Sequence, residues 1–184
     1  MTDKPKIILG IDPGTIVLGY GLISVSNKNI HLVSMGVISL NKLGDMHKRL
    51  SRIFKRLDSI INEFKPDEVA IEAQFFGKDV QAMLKLGRAQ GVAITPAILR
   101  EIPVFEYAPR KIKVAITGNG DASKEQVSMM LGKILKIDLS KQPMDATDGL
   151  AAALCHHYQS QLPSGNSSYS SWEEFAKKNP GRIK

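Results

Sequence analysis

Hydrophobic positions along the chain change period several times, and each change marks an element. Residues 6–12 (KIILGID) form a continuous apolar run ending in an acid, the pattern of a buried strand. A Gly-rich turn follows, and residues 19–26 (GYGLISVS) suit a second strand paired back by a hairpin. The turn residues Asn27, Lys28 and Asn29 lead into residues 31–40 (HLVSMGVISL), a third strand. Short turns between the three predict an antiparallel meander. From 45 to 64 the period becomes helical: Met46, Leu50, Ile53, Phe54, Leu57, Ile60, Ile61 and Phe64 recur at three and four. The opposite face carries Lys48, Arg49, Arg52, Lys55 and Arg56, which reads as a solvated face with a DNA contact as its alternative.

Further along, residues 68–72 (EVAIE) predict a buried strand ending in Glu72, and a second helix covers about 78–100. On that helix Gly87 and Gly91, with Ala82, Ala89 and Ala93, offer small residues that let another helix approach closely. Residues 104–109 (VFEYAP) predict a fifth strand closed by Pro109, and 110–118 a basic helix. Ser123 is placed to cap a helix over 124–136, with Glu125 and Gln126 in its first turn. A last helix spans 144–160. The order predicts an α/β fold, a mixed five-stranded sheet with helices on its faces. Residues 1–160 read as one domain. Residues 161–184, rich in Ser, Gly and Asn at their start, read as a mobile tail with one short helix around Trp172 to Lys177.

Composition narrows the partners. With 43% hydrophobic and 23% charged residues among 184, the chain reads as a soluble globular protein. A net charge of +7 favours a polyanion, nucleic acid first. The single cysteine, Cys155, excludes an internal disulfide and fits a reducing cytosol. No apolar stretch is long enough for a signal peptide or a bilayer span, so a cytoplasmic protein with no membrane partner is expected.

Four acids carry the candidate chemistry. Asp12 leaves the first strand and Glu72 the fourth, so the two meet if those strands are neighbours. Asp145 and Asp148, at i and i+3, share one face of the first turn of the last helix. Clustered carboxylates raise each other's pKa unless a cation neutralises them, and an oxygen-only set suits Mg²⁺ or Mn²⁺. Two such ions about 4 Å apart activate a water and stabilise a leaving 3′ oxygen. Each acid also has a plainer reading. Asp145 and Asp148 complement a helix dipole, and Asp12 organises an Asp-Pro-Gly turn. Glu72 resists such dismissal, because an unpaired acid completing a Val-Ala-Ile strand is costly.

Neighbouring residues extend the site. The glycines between Asp12 and Gly21 resemble a phosphate-cradling hairpin of sugar kinases and actin-like ATPases, but that fold needs a second similar domain, for which this chain is too short. Phe75 and Phe76 after Glu72 are placed to stack on an unpaired base, or to fill the core. Lys113 and Lys124 suit a phosphate, or pass as surface lysines. His156 and His157 lie about 12 Å beyond Asp148 along the helix and are not read as ligands.

Five segments together, GIDPGTIVLGYG (10–21), VAIEAQFFGKD (69–79), MLKLGRAQGVA (83–93), PVFEYAPRKIK (103–113) and DATDGLAAAL (145–154), closely resemble the RuvC family of Holliday-junction resolvases. The resemblance covers residues 6–158 and implies a ribonuclease-H-like fold. It implies a homodimer that binds a four-way DNA junction and makes paired symmetric nicks, leaving 5′-phosphate and 3′-hydroxyl ends. The family's catalytic metal-binding acids map onto Asp12, Glu72, Asp145 and Asp148, its junction-contacting aromatic onto Phe75, and its DNA-binding basic residues onto Lys113 and Lys124. The helix with Gly87 and Gly91 falls near the dimer seam, and the branch-migration proteins RuvA and RuvB are the implied partners. A dimer also has a physical rationale, since two symmetric cuts need two sites related by a two-fold axis. The alternatives are a junction-binding module without catalysis and a ribonuclease-H-like nuclease acting on RNA or hybrids.

Overall fold

A computed structural model describes residues 4–27, 29–73, 79–161 and Lys177. Phe75, Phe76 and all but Gln161 and Lys177 of the expected tail lie outside the described residues. Strands β1 (Lys6–Asp12), β2 (Val17–Ser26) and β3 (Asn29–Ser39) form the expected antiparallel meander, followed by α1 (Met46–Phe64). Then come β4 (Glu68–Glu72), α2 (Val80–Ile98), β5 (Val104–Tyr107), α3 (Pro109–Thr117), α4 (Lys124–Leu135) and α5 (Met144–Gln161). The sheet order is β3-β2-β1-β4-β5, with β4 parallel to β1 and β5 parallel to β4.

Strand alternation divides the core in two. Leu9 and Ile11 of β1, Leu18 and Leu22 of β2, and Val69 and Ile71 of β4 pack with α1 and α2 on one face. Ile8, Ile23 and Ala70 face α3, α4 and α5 on the other. The helices therefore cover both faces, as the strand order predicted.

Local chemistry explains most boundaries. Asp45 accepts from the His47 N–H to start α1, and Lys65 ends it in the left-handed region at φ 47°. Ser123 and Gln126 form a reciprocal capping box that fixes where α4 begins, directly before Lys124. One detail departs from the sequence expectation. Pro109 opens α3 instead of closing β5, because a missing N–H costs nothing at a helix's first position. Pro96 sits buried inside α2, where it has no N–H for the Val92 carbonyl one turn back, and the adjacent Thr95 hydroxyl donates to the Gly91 carbonyl at 2.7 Å. Around Gly87 and Gly91 an added Cβ would meet nothing within 4 Å, so that stripe of α2 is open in the single chain.

α5 is the innermost helix. From Ala146 to His157 every residue except the half-buried Asp148 is buried. Gly10, Gly19 and Gly21, on the face toward α5, let the helix backbone rest directly on the sheet. An added Cβ would lie 2.1 Å from the Gly149 carbonyl at Gly10, 1.7 Å from the Asp145 carbonyl at Gly19, and 2.6 Å from Leu150 Cα at Gly21. The far end of α5 is pinned by a polar chain. A carboxylate only accepts, so His156 Nε2–H donates to Glu68 at 2.6 Å, and the Tyr107 hydroxyl reaches Nδ1 at 2.6 Å. Burial works against the charge on Glu68, but hydrogen bonds from Lys6 and His156 hold its pKa below the usual value. His156 thus takes no part in the acid cluster. Among the described residues, no helix is long and apolar enough to cross a membrane.

Candidate active site

The parallel pairing of β1 and β4 brings two acids to the same edge of the sheet. Ile11 pairs with Ile71, and Asp12 and Glu72 are the next residue on each strand. Asp12 also lies opposite Gly19 of β2, the glycine whose bare Cα receives the Asp145 carbonyl. The first turn of α5 is therefore seated beside the end of β1. Asp12, Asp145 and Asp148 each offer a carboxylate oxygen, and these three oxygens lie within 4.8 Å of one another. Glu72 stands outside that triad but lines the same cavity of about 280 Å³ with Asp12, Asp148, Lys113 and Lys124. Six residues named from the sequence as acids or lysines of the site thus meet, with Asp145 joining through the triad.

Two helices supply the cations. Lys124, the first residue of α4, pairs directly with Asp148 and lies 3.9 Å from Asp145. Lys113 of α3 borders the cavity on the Glu72 side and draws the Glu72 pKa down. These lysines do not neutralise the cluster. Burial, then the charges of Glu72 and Asp148, push Asp12 up to about 8 against the pull of Lys124. Burial, then Asp148, push Glu72 up to about 7. Burial disfavours the charged form of Lys124, yet its hydrogen bond to Asp148 and the nearby acids hold its pKa above the usual value. Lys124→Met will therefore move the Asp12 titration further upward. Carboxyl ¹³C shifts followed against pH without divalent ions check this; an unmoved midpoint would mean that Lys124 is not the counterion.

Close-packed carboxylates, with the pKa values of Asp12 and Glu72 raised, fit a hard divalent cation. The donors are all oxygen, which excludes a thiolate or imidazole site here. Sequence reasoning missed two contributors. The sequence places Gly10, Gly19 and Gly21 within the first two strands without showing that they seat a helix, although they fall on one strand face by parity. Arg49 was counted with a solvated face, but it is half-buried and bonded to the turn after Asp12.

Comparison with known proteins agrees with this architecture. The family model described as crossover junction endodeoxyribonuclease RuvC matches residues 8–156. The chain is 54% identical to the crossover junction endodeoxyribonuclease RuvC of Porphyromonas gingivalis, with 100% of both chains covered. It is 55% identical to that of Bacteroides fragilis, over 98% of this chain and 97% of the relative. Among solved structures, Thermus thermophilus RuvC in complex with a Holliday junction substrate superposes with a TM-score of 0.79 at 32% identity. That match covers 85% of this chain and 96% of the other. The yeast mitochondrial Holliday junction resolvase Ydc2, at 17% identity and a TM-score of 0.61, shares the fold. With its sheet order, its acids and its full-length relatives in agreement, the chain belongs to the RuvC family of crossover junction endodeoxyribonucleases.

Proposed function

We propose that the protein is a divalent-metal-dependent endonuclease that resolves four-way DNA junctions by paired symmetric nicks, leaving 5′-phosphate and 3′-hydroxyl ends. The observation that carries this reading is the triad of Asp12, Asp145 and Asp148 within 4.8 Å, beside Glu72, on a chain of net charge +7. Full-length relatives named for that activity support it.

The four acids are assigned to hold Mg²⁺, with Mn²⁺ as substitute and two ions per site. Bound there, the metal supplies Lewis-acid activation of a water and charge stabilisation of the leaving 3′ oxygen. The protein's own part is electrostatic and positional. With a cation bound, Asp12 and Glu72 would hold it as carboxylates. Their pKa values are raised first by burial and then by the neighbouring acids, which an added positive charge would offset. Lys124, which pairs with Asp148, and Lys113 of α3, which lines the same cavity, would meet a phosphate. Phe75 is assigned to stack on an unpaired base at the junction. A C2 dimer supplies the two sites, and RuvA and RuvB are its proposed working partners. The nuclease unit is assigned to residues 1–160, with 161–184 outside it, and its place of action to the cytoplasm.

The test is cleavage of an end-labelled synthetic four-way junction in Mg²⁺ and in Ca²⁺, beside a linear duplex and an RNA–DNA hybrid of matched sequence. The expected result is nicks at two-fold-related positions in Mg²⁺ alone, with duplex and hybrid intact. Binding without cuts across several junction sequences would favour a binding module instead, and preferential cutting of the hybrid would favour a ribonuclease.

A further inference from the structure

Arg49 belongs by sequence to the basic face of α1, yet its guanidinium is used differently from that of its neighbours. Lys48, Arg52, Lys55 and Arg56 are exposed, whereas Arg49 is half-buried. Its Nε donates to the Leu43 carbonyl at 2.6 Å and its Nη1 to the Thr15 carbonyl at 2.9 Å. Among the described residues it has no carboxylate within ion-pair range. A cation that could point into water instead spends two fixed donors on backbone oxygens of two separate loops.

One of those loops is the turn that leaves Asp12. It has little slack: Pro13 is buried, and a Cβ on Gly14 would lie 1.8 Å from the Val17 carbonyl. Its exit is fixed where the Leu40 N–H donates to the Ile16 carbonyl at 2.9 Å and Val17 pairs with Ser39. Its middle, Thr15, is held from the side by Arg49. The other loop, which carries Leu43, leads to Asp45, the cap of the same helix.

We infer that Arg49 is a positioning residue for Asp12, acting through the Thr15 carbonyl to fix the turn that directly follows this carboxylate and so to steady it in the acid cluster. The inference rests on the metal-site reading of Asp12, Asp145 and Asp148. Arg49 touches neither metal nor DNA in this role, so its loss affects the reacting geometry and metal affinity but leaves junction binding intact. A supporting partner of a metal ligand typically changes metal affinity or activity 10–100-fold when removed.

The experiment compares wild type, R49M, R49K and D12N on the four-way junction, measuring kcat, KM, the Mg²⁺ concentration for half-maximal rate, junction Kd in EDTA, and Tm. R49M is expected to lower kcat by ~10–100-fold and to raise the half-maximal Mg²⁺ concentration. Its KM and junction Kd should stay within about two-fold of wild type, since the role involves no DNA contact. R49K, which keeps the charge but lacks the fork, should fall between the two. Unchanged kcat and Mg²⁺ dependence in R49M would overturn the inference. So would a loss of junction affinity equal to the loss of rate, which would make Arg49 a DNA contact. Activity that falls only with Tm and returns on cooling would reduce Arg49 to a fold-stabilising residue. D12N separates the two levels: cleavage by D12N would sink the metal-site reading itself, whereas inactive D12N beside fully active R49M would sink only the role of Arg49.

Discussion

Asp12→Asn will abolish junction cleavage and, in the absence of divalent ions, make the protein more stable. The first effect follows from the place of Asp12 in the oxygen triad and its register beside Glu72. Metal charge stabilisation is worth several kcal/mol, so losing a ligand at its centre should lower the rate at least ~1,000-fold, or ~4 kcal/mol. The second effect follows from the elevated pKa of about 8. In the unfolded chain Asp12 releases its proton near pH 4, as a free carboxyl does. A group whose pKa rises on folding gives its full stability below the unfolded pKa and loses it as pH climbs through the folded one. The metal-free wild type is therefore weakened progressively from pH 4 to 8, and Glu72 adds to this up to about 7. Asparagine carries no proton to lose. Thermal melts in EDTA should show D12N pulling ahead of wild type as pH rises from 5 to 8.5, with Mg²⁺ restoring the wild type alone. A constant gap across pH would show that the carboxyl is not strained by its neighbours.

Gly19→Ala should be nearly as damaging to cleavage, although a single methyl is added and no acid is touched. Its Cβ would lie 1.7 Å from the Asp145 carbonyl oxygen and 2.4 Å from the Asp145 carbonyl carbon. These are backbone atoms of a helix already packed against the sheet, so no side-chain rotation relieves the clash. The first turn of α5 must lift, carrying Asp145 and Asp148 away from Asp12. Overpacking of this kind costs ~1–3 kcal/mol in stability. The rate should fall by ~100-fold or more, since ~1 Å of misplacement has that effect on a positioned site. Gly10→Ala provides the contrast. Its Cβ meets the Gly149 carbonyl at 2.1 Å and Ala153 N at 2.4 Å, beyond the acids. It should lower Tm at least as much, with a smaller rate loss per degree. Measuring kcat and Tm for both variants decides the matter, and equal rate loss per degree would mean that the glycines serve the fold alone.

These two variants mark where sequence reading succeeds and where it stops. The acids were legible because a charge at the end of an apolar strand is energetically conspicuous, and Asp12 and Glu72 stood at such ends. The α4 boundary was legible too, since Ser123 with Gln126 is a local signal independent of tertiary contacts. Gly10, Gly19 and Gly21 fall within the strands read from the sequence, but nothing in one strand shows which helix will lie across it. Arg49 was grouped with exposed cations because helical periodicity tells which face a residue is on, not which loop will fold over it. Likewise, Glu72 was expected to join the other three on equal terms. It shares the cavity, but the close triad belongs to Asp12, Asp145 and Asp148.

The position of α5 sets how the enzyme fails under heat. Its backbone rests on three glycine-bearing strand positions, with α3 and α4 in the same core and His156 tied to Glu68 and Tyr107 at the far end. Such a helix has no route to open by itself. Its amide hydrogens exchange with solvent only when the whole domain unfolds, while exposed surfaces exchange through local fraying. Asp145 and Asp148 thus ride on a helix that, from Ala146 to His157, is buried except at Asp148. On warming, cleavage should persist until the cooperative transition and vanish with it.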